Sequence, residues 1–224
     1  MEKIVKFNLF VLVSFFSLLK CSSEKVWTDG YHYWLDKTTE SISGPGSSLP
    51  QTEIVRKKIP EIVKQFNIKS ILDAPCGDFY WMSTVTLGDC FYFGIDIIKP
   101  LIEFNKKRFS DTMHIFQHLD LTSQELPKVD LIICRDLLVH LSFQDTFKVI
   151  NNFKQSKSTY LLTTFFSRRV SNVSLHELGW YPLNLLKEPF NFPQPVLIIN
   201  ENCTEQGGIY SDKSLGLWEI SQLP

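Results

Sequence analysis

Two apolar segments that each end at an acidic residue constrain the fold of this 224-residue chain most strongly. The first is Ile71-Leu72-Asp73, which runs into the short turn that contains Gly77, and the second ends at Asp96, nineteen residues after that glycine. A strand, a tight turn and a second strand ending in a carboxylate are typical of an open α/β sheet that binds an adenosine cofactor. In that arrangement, the carboxylate of Asp96 accepts hydrogen bonds from a ribose diol, and we expect it to be exposed at the strand end with no protein partner.

The turn after the first strand indicates which kind of adenosine cofactor fits. A dinucleotide site needs three glycines, because the backbone must approach a pyrophosphate closely, and here only Gly77 is present. Pro75 and Phe79 stand where the outer glycines would be, and Pro75 lacks the N–H that a phosphate requires. The turn therefore disfavours NAD and ATP. It favours a cofactor without phosphate that carries an amino acid, whose ammonium would meet Asp73 or Asp78.

Strand and helix patterns alternate from Ser70 onward, as a doubly wound sheet requires. The final two apolar segments have no helix between them and are typical of a hairpin, so the last strand must run antiparallel. The sequence thus predicts a Rossmann-like α/β fold with a seven-stranded, mostly parallel sheet. The predicted strands are 70–74, 91–96, 113–118, 129–134, 159–166, 195–201 and 215–220, and the predicted helices after the first strand are 79–86, 99–109 and 143–153.

The region before the sheet combines an aromatic cluster at 26–34, a Gly-Pro-Gly loop at 43–48 and a helical pattern at 54–66. Pro60 is expected to bend or split that helix. Two interpretations stay open: the cluster and the loop close over a pocket, or they form an aromatic clasp on the core. In either case we divide the chain into an N-terminal cover at 24–66 and a main domain at 67–224.

Residues 1–23 have the form of a secretory signal. Two lysines precede a thirteen-residue apolar run, and small residues follow at a spacing suited to cleavage. The run is short for a membrane span. A buried N-terminal helix or a mis-assigned start remains an alternative, because an adenosine cofactor is available inside the cell and favours the cytoplasm. Membrane contact is expected only through this segment, if it is not removed.

Composition excludes several other classes of site. The net charge is −1, with two short basic runs and no basic stripe, so nucleic acid is not an expected partner. The five cysteines contain no C-x-x-C pair and predict neither a metal site nor a disulfide framework. At 44% hydrophobic residues the chain can bury one full core. The sequence does not predict an oligomeric state.

Several motifs together resemble the class I S-adenosylmethionine-dependent methyltransferases over roughly residues 50–220. The segment Asp73-Ala74-Pro75-Cys76-Gly77-Asp78 is similar to their first motif with the outer glycines replaced. Asp96 matches the acid that holds the ribose, and Asp120 matches the acid beside the adenine amino group. The resemblance implies S-adenosylmethionine as cofactor. The residues it assigns to cofactor binding are Asp73, Pro75, Cys76, Gly77, Asp78, Asp96, Ile97, Asp120, Leu121 and Arg135.

The segment after the fourth strand is the expected catalytic edge. Methyl transfer to a hydroxyl needs alignment and removal of a proton, and His140 is the candidate base. Asp136 and Arg135 beside it are expected either to orient the substrate or to support the loop. A structural role for His140 is the alternative. The Asn/Asp-Pro-Pro-Tyr tetrad of base-methylating and protein-amide-methylating enzymes is replaced here by Cys134-Arg135-Asp136-Leu137, which argues against base N-methylation.

An insert at 167–195 follows the fifth strand, at the edge where substrate loops lie in such folds. Trp180 and Asn184 within it are the candidate substrate-binding residues, although this proline- and aromatic-rich stretch is also suited to a rigid lid. The leading hypothesis is methyl transfer to a small-molecule or glycan hydroxyl. The alternatives are a catalytically silent adenosine-binding module and a methyltransferase that acts on a protein.

Overall fold

A computed structural model of the protein describes residues 40–173 and 179–224. The leader at 1–23 and the aromatic cluster at 26–34 therefore lie outside the described residues. Among the described residues, seven strands form one sheet, and three α-helices of eleven residues or more pack against it. The strands are β1 (Ser70–Asp73), β2 (Phe91–Asp96), β3 (His114–His118), β4 (Leu131–Cys134), β5 (Tyr160–Phe166), β6 (Leu197–Asn200) and β7 (Lys213–Glu219). The helices are α1 (Glu53–Gln65), α2 (Lys99–Phe109) and α3 (Phe143–Gln155).

The strand order is β3-β2-β1-β4-β5-β7-β6. The first five strands are parallel, and β7 pairs antiparallel with both β5 and β6. This confirms the predicted Rossmann-like sheet with an antiparallel C-terminal strand. The carboxyl ends of β1, β2, β3 and β4 consequently share one edge of the sheet, with β1 and β4 adjacent at its centre, where the direction of the strand order reverses.

Apolar residues cover both faces of the sheet. Val55, Ile59 and Ile62 of α1 lie on one face together with Ile102 of α2. On the other face, α3 buries Val149, Ile150 and Phe153 in the second cluster of the core. Ser142 caps α3 by accepting a hydrogen bond from the Asp145 N–H at 3.1 Å, as the sequence predicts for a helix N-terminus. Pro60 lies inside α1, which remains a single helix.

The predicted helix at 79–86 is wrong. Only one 3₁₀ turn, Met82–Thr84, forms there. Gly77 and Phe79 have φ angles of 54° and 57°, in the left-handed region, and a right-handed helix does not continue through such residues. The ring of Phe79 is buried instead in an aromatic cluster with Tyr92 and Phe116. The connection from β1 to β2 is therefore a compact loop, which leaves room at the edge of the sheet.

Candidate active site

A cavity of about 480 Å³ opens at the carboxyl edge of the sheet. Its volume is within the usual range for small-molecule sites. The loops that follow β1, β2, β3 and β4 line it, as does the segment at 42–47 before α1. Of the predicted cofactor residues, nine line this cavity: Asp73, Pro75, Cys76, Gly77, Asp96, Ile97, Asp120, Leu121 and Arg135.

Asp96 ends β2 and holds the turn after β1 in place. Its Oδ2 accepts a hydrogen bond from the Gly77 N–H at 3.0 Å, and its Oδ1 accepts one from the Ile98 N–H at 2.9 Å. The expectation of an exposed carboxylate with no protein partner is wrong, because the side chain is buried between these two loops. Burial raises the pKa of Asp96 to about 6, against the lowering effect of the backbone donors. Each carboxylate oxygen retains a second lone pair, which can accept from a ligand hydroxyl.

Asp73 ends β1 and is also buried. The hydroxyl of Tyr92 donates to its Oδ2 at 2.6 Å. Burial raises the pKa of Asp73 to about 7, and the negative charge of Asp96 adds to the increase. A buried carboxylate of this kind gains from a nearby positive charge, so Asp73 suits a cationic group in the ligand.

Asp120 begins the loop after β3, and its carboxylate organises that loop. Oδ1 accepts hydrogen bonds from the N–H and hydroxyl of Thr122, at 2.8 and 2.7 Å, and Oδ2 accepts from Ser123 Oγ at 2.8 Å. This turn presents Asp120 and the buried Leu121 to the cavity. Ile97, which follows Asp96, also lines the cavity, and its carbonyl oxygen lies 2.8 Å from His118 Nε2.

Asp78 does not line the cavity. Its carboxylate accepts from the Ile42 N–H at 2.7 Å and from the hydroxyls of Ser41 and Ser43. Those contacts direct it toward the segment before α1 and away from the cofactor position. Of the two acids predicted to bind the ammonium group of the cofactor, only Asp73 lines the cavity.

Four charged side chains form a network at the other end of the cavity. Arg135 Nη2 lies 2.7 Å from Glu201 Oε2, and Arg135 Nη1 lies 3.2 Å from Asp136 Oδ2. Lys213 Nζ donates to Asp136 Oδ2 at 2.6 Å and lies 3.7 Å from Glu201. Burial alone would raise the pKa of Asp136, but Lys213 and Arg135 hold it well below its usual range. Both predicted orienting residues, Arg135 and Asp136, are therefore ionised and tied to protein partners.

His140 lines the cavity from the turn before α3. Its Nδ1 lies 2.7 Å from the carbonyl oxygen of Gly179. A carbonyl can only accept, so Nδ1 carries the proton and Nε2 is the basic nitrogen of the neutral ring. Burial lowers the pKa of His140, which favours this neutral form near pH 7. These are the properties that a general base requires.

The two predicted substrate residues have different surroundings. Trp180 lines the cavity, is 37% exposed and contacts Tyr210 with 4.6 Å between ring centroids. Asn184 is buried and does not line the cavity, so the structure does not bring it together with the other predicted site residues. Its amide nitrogen donates to the carbonyls of Ser167 and Arg169, at 3.3 and 2.8 Å. These contacts fix the course of the insert, and a role for Asn184 in substrate binding stays a prediction.

Sequence reasoning missed Lys213, Glu201 and Tyr210. Lys213 and Glu201 are charged residues at the ends of two otherwise apolar strands, and this position is the feature of the sequence that could have indicated them. Glu201 and Lys213 face each other across the antiparallel pair, since the Glu201 N–H donates to the Lys213 carbonyl at 3.0 Å. The contacts of Glu201 with Arg135 and of Lys213 with Asp136 depend on β7 lying between β5 and β6, an order that the linear sequence does not state.

At 40–173 and 179–224, no group of three or more His, Cys, Asp or Glu side chains is arranged to hold a metal ion. None of the helices in that part of the chain is both long and apolar enough to cross a membrane.

No protein-family model and no curated protein sequence matches this chain. Solved structures resemble it at low sequence identity. Human N-acetylserotonin methyltransferase in complex with S-adenosylmethionine aligns at a TM-score of 0.53 and 13% identity, covering 75% of this chain and 52% of that one. The N-methyltransferase NodS from Bradyrhizobium japonicum aligns at 0.54 and 13%, covering 76% and 96%. The methyltransferase domain of bacterial CtHen1 aligns at 0.55 and 12%, covering 75% and 99%.

These likenesses establish the fold. The chain has the Rossmann-like fold of class I S-adenosylmethionine-dependent methyltransferases, and it spans about half the length of the human enzyme.

Proposed function

We propose that this protein transfers a methyl group from S-adenosylmethionine to a hydroxyl group of a small molecule or glycan. One observation carries the proposal: Asp73, Asp96 and Asp120 follow three adjacent parallel strands and line the same cavity as His140. The fold is one that hosts this chemistry in other proteins, but fold alone does not assign an activity. The residues of the cavity must also fit the cofactor and the reaction.

The donor end fits S-adenosylmethionine on the basis of its charges. Burial disfavours the negative charges of Asp73 and Asp96, which a cationic ligand would offset, and Pro75 provides no N–H to a phosphate. Asp96 would hold the ribose diol, Asp120 the adenine amino group and Asp73 the ammonium of the methionine portion. S-adenosylmethionine supplies an activated methyl group on a positively charged sulfur. The negative charges of Asp73 and Asp96 together favour binding of that positive charge.

The acceptor end supports an oxygen nucleophile. His140, with its proton fixed on Nδ1 by the Gly179 carbonyl, takes the hydroxyl proton at Nε2. Trp180 and Tyr210 provide an aromatic wall on which a sugar or phenol ring can pack. The negative charge of Asp136 stabilises the imidazolium that results, since its electrostatic effect raises the pKa of His140. The rest of the rate acceleration comes from holding the acceptor hydroxyl close to the methyl group and in line with it.

The test is transfer of labelled methyl from S-adenosylmethionine to a panel of neutral phenols and glycosides. His140→Gln should lower the rate by about 10²–10⁴-fold and flatten its pH dependence, as loss of a general base does. His114→Gln is the matched control, because His114 lies at the opposite end of β3 beside Asp111. Equal rates for His140→Gln and the wild type would remove this base from the mechanism.

A second variant separates acceptor from donor. Trp180→Ala should impair transfer while the affinity for S-adenosylmethionine stays within about threefold, roughly 0.7 kcal/mol. A large loss of cofactor affinity would contradict the division of the cavity into two ends. Binding of S-adenosylmethionine with no transfer to any acceptor, including proteins, would favour the silent binding module.

A further inference from the structure

The segment Ser41–Ser47, which we call the cover segment, forms one side of the cavity through residues 42–47. Its first half is held by Asp78. The Asp78 carboxylate accepts from the Ile42 N–H at 2.7 Å, from Ser41 Oγ at 3.0 Å and from Ser43 Oγ at 3.2 Å. Asp78 is 8% exposed, and these partners belong to a segment that is more than thirty residues away in sequence. One buried acid therefore fixes three consecutive residues of the cover segment.

The neighbouring glycine allows this contact. A Cβ atom added to Gly77 would overlap Ser43 Oγ, and the φ angle of Gly77 is 54°. Both facts require glycine at this position. Gly77 and Asp78 of the first motif thus bring the cover segment directly against the turn whose N–H is bound by Asp96.

The second half of the cover segment is held by Arg135. Its Nη2 donates to the Gly46 carbonyl at 2.9 Å, while Nε and Nη2 both donate to Glu201 Oε2, at 3.2 and 2.7 Å. Arg135 and Glu201 side chains are 4% and 1% exposed, so the pair is rigidly enclosed. A Cβ atom at Gly46 would lie 3.5 Å from Asp136 Oδ2 and 3.7 Å from Lys213 Nζ. This end of the segment therefore lies on the charge network beside the acceptor end.

The cover segment thus runs from the donor turn to the acceptor-side network, across the part of the cavity where the two substrates would meet. We propose that Asp78 and Arg135 are positioning residues that hold this segment closed over the transfer point, retaining S-adenosylmethionine and excluding water. The inference rests on the proposed function for the identity of the ligand. It assigns Asp78, the last acid of the first motif, a role in closure and not in direct contact with the cofactor.

The experiment compares Asp78→Asn with the wild type in the full-length protein. Asn retains the size of Asp but loses the charge that is shared by the three donors of the cover segment and the Tyr80 N–H. We expect amide exchange at 42–47 to become at least about tenfold faster, and dissociation of S-adenosylmethionine to accelerate about fivefold or more. Asp111→Asn is the matched control, because Asp111 also accepts backbone N–H groups, from Met113 and His114, but in an exposed turn. It should leave both rates unchanged.

Arg135→Lys tests the other end, since lysine keeps the charge but not the forked contact with Gly46 and Glu201. It should accelerate exchange of the Gly46 region and dissociation of the cofactor as well. If Asp78→Asn does not fold, the double variant Ser41→Ala, Ser43→Ala removes two of the donors and leaves the acid in place.

The outcomes separate this inference from the proposed function. Unchanged exchange at 42–47 would overturn the anchoring role, whether or not any cofactor binds. Faster exchange with unchanged dissociation of S-adenosylmethionine would overturn the role in retention. A wild-type protein that does not bind S-adenosylmethionine would instead refute the proposed function, and exchange would still decide whether Asp78 fixes the segment.

Discussion

Asp73 and Asp96 are acids whose surroundings disfavour their charge. Burial raises their pKa values to about 7 and about 6, so both carry part of their protons near neutral pH in the ligand-free protein. A bound cation would lower both pKa values and release protons on binding. Ligand affinity must then depend on pH over the range in which these groups titrate.

We predict that the affinity for S-adenosylmethionine rises with pH between about 5.5 and 8. A carboxylate whose pKa is lower in the complex than in the free protein binds a cation more tightly when it is deprotonated. The affinity therefore increases as the pH rises from the pKa in the complex to the pKa in the free protein. A shift of one pKa unit corresponds to about tenfold in affinity. Calorimetry across this range, in two buffers of different ionisation enthalpy, measures both the affinity and the protons released.

Asp73→Asn is the informative variant for this pH dependence. It should weaken binding at pH 8 and flatten the rise, because the group with the higher pKa is then absent. Asp89→Asn, at an exposed position before β2, should keep the wild-type slope. An affinity independent of pH in the wild type would show that neither acid faces the positive charge of the ligand.

Sequence motifs predict which acids lie at the ends of the strands, but they do not predict the hydrogen-bond partners or the burial of those acids. Asp73, Asp96 and Asp120 were placed at strand ends from local pattern alone, and they line one cavity. The hydrogen bond from Gly77 to Asp96 joins residues nineteen positions apart. Its existence depends on the left-handed turn at Gly77, which sequence pattern does not specify. The same turn explains why Asp78 points to the cover segment.

At the scale of elements, the loop from β1 to β2 departs most from expectation. The seven predicted strands agree with the observed bounds to within two residues at each end, because apolar segments between turn residues specify them well. The segment at 79–86 has a helix-compatible pattern, yet Phe79 takes a left-handed conformation and packs into the core. Its ring lies about 5 Å, centroid to centroid, from those of Tyr92, Phe109 and Phe116. Tertiary packing therefore overrides local preference here.

We predict that Phe79→Ala lowers the free energy of unfolding by about 3–5 kcal/mol, the usual cost of removing a buried aromatic ring. Chemical denaturation of the ligand-free protein measures the loss. Phe104→Ala is the control, because the Phe104 ring is 50% exposed, and it should cost about 1 kcal/mol or less. A small effect of Phe79→Ala would mean that the loop after β1 is not anchored by this ring.

At the scale of the whole molecule, the acceptor end is assembled from distant parts of the chain. Arg135 and Glu201 are 66 residues apart, and Asp136 and Lys213 are 77 residues apart. These pairs form because β7 lies between β5 and β6, an order that hairpin prediction alone does not give. The residues of the proposed donor end follow consecutive strands, so sequence pattern alone indicates that they come together, which it does not do for the charge network at the proposed acceptor end.

The N-terminal segment gives a prediction at this scale. If residues 1–23 are a targeting segment, a chain that begins at Glu24 should be soluble, have the same melting temperature and bind S-adenosylmethionine as the full chain does. Thermal denaturation and calorimetry compare the two. Loss of folding on removal of residues 1–23 would show that this segment belongs to the core.

The most direct test of the proposed cofactor site is calorimetric titration of the full chain with S-adenosylmethionine, for the wild type and for Asp96→Asn. We expect one binding site per chain, and at least about tenfold weaker binding in the variant, because each lost hydrogen bond to a charged acceptor costs about 1.5–3 kcal/mol. Since Asp96 also binds Gly77 and Ile98, thermal denaturation must show that the variant is folded. Asp89→Asn should bind as the wild type does. Unchanged affinity in folded Asp96→Asn, or no binding to the wild type, would contradict the proposal that S-adenosylmethionine binds at Asp96.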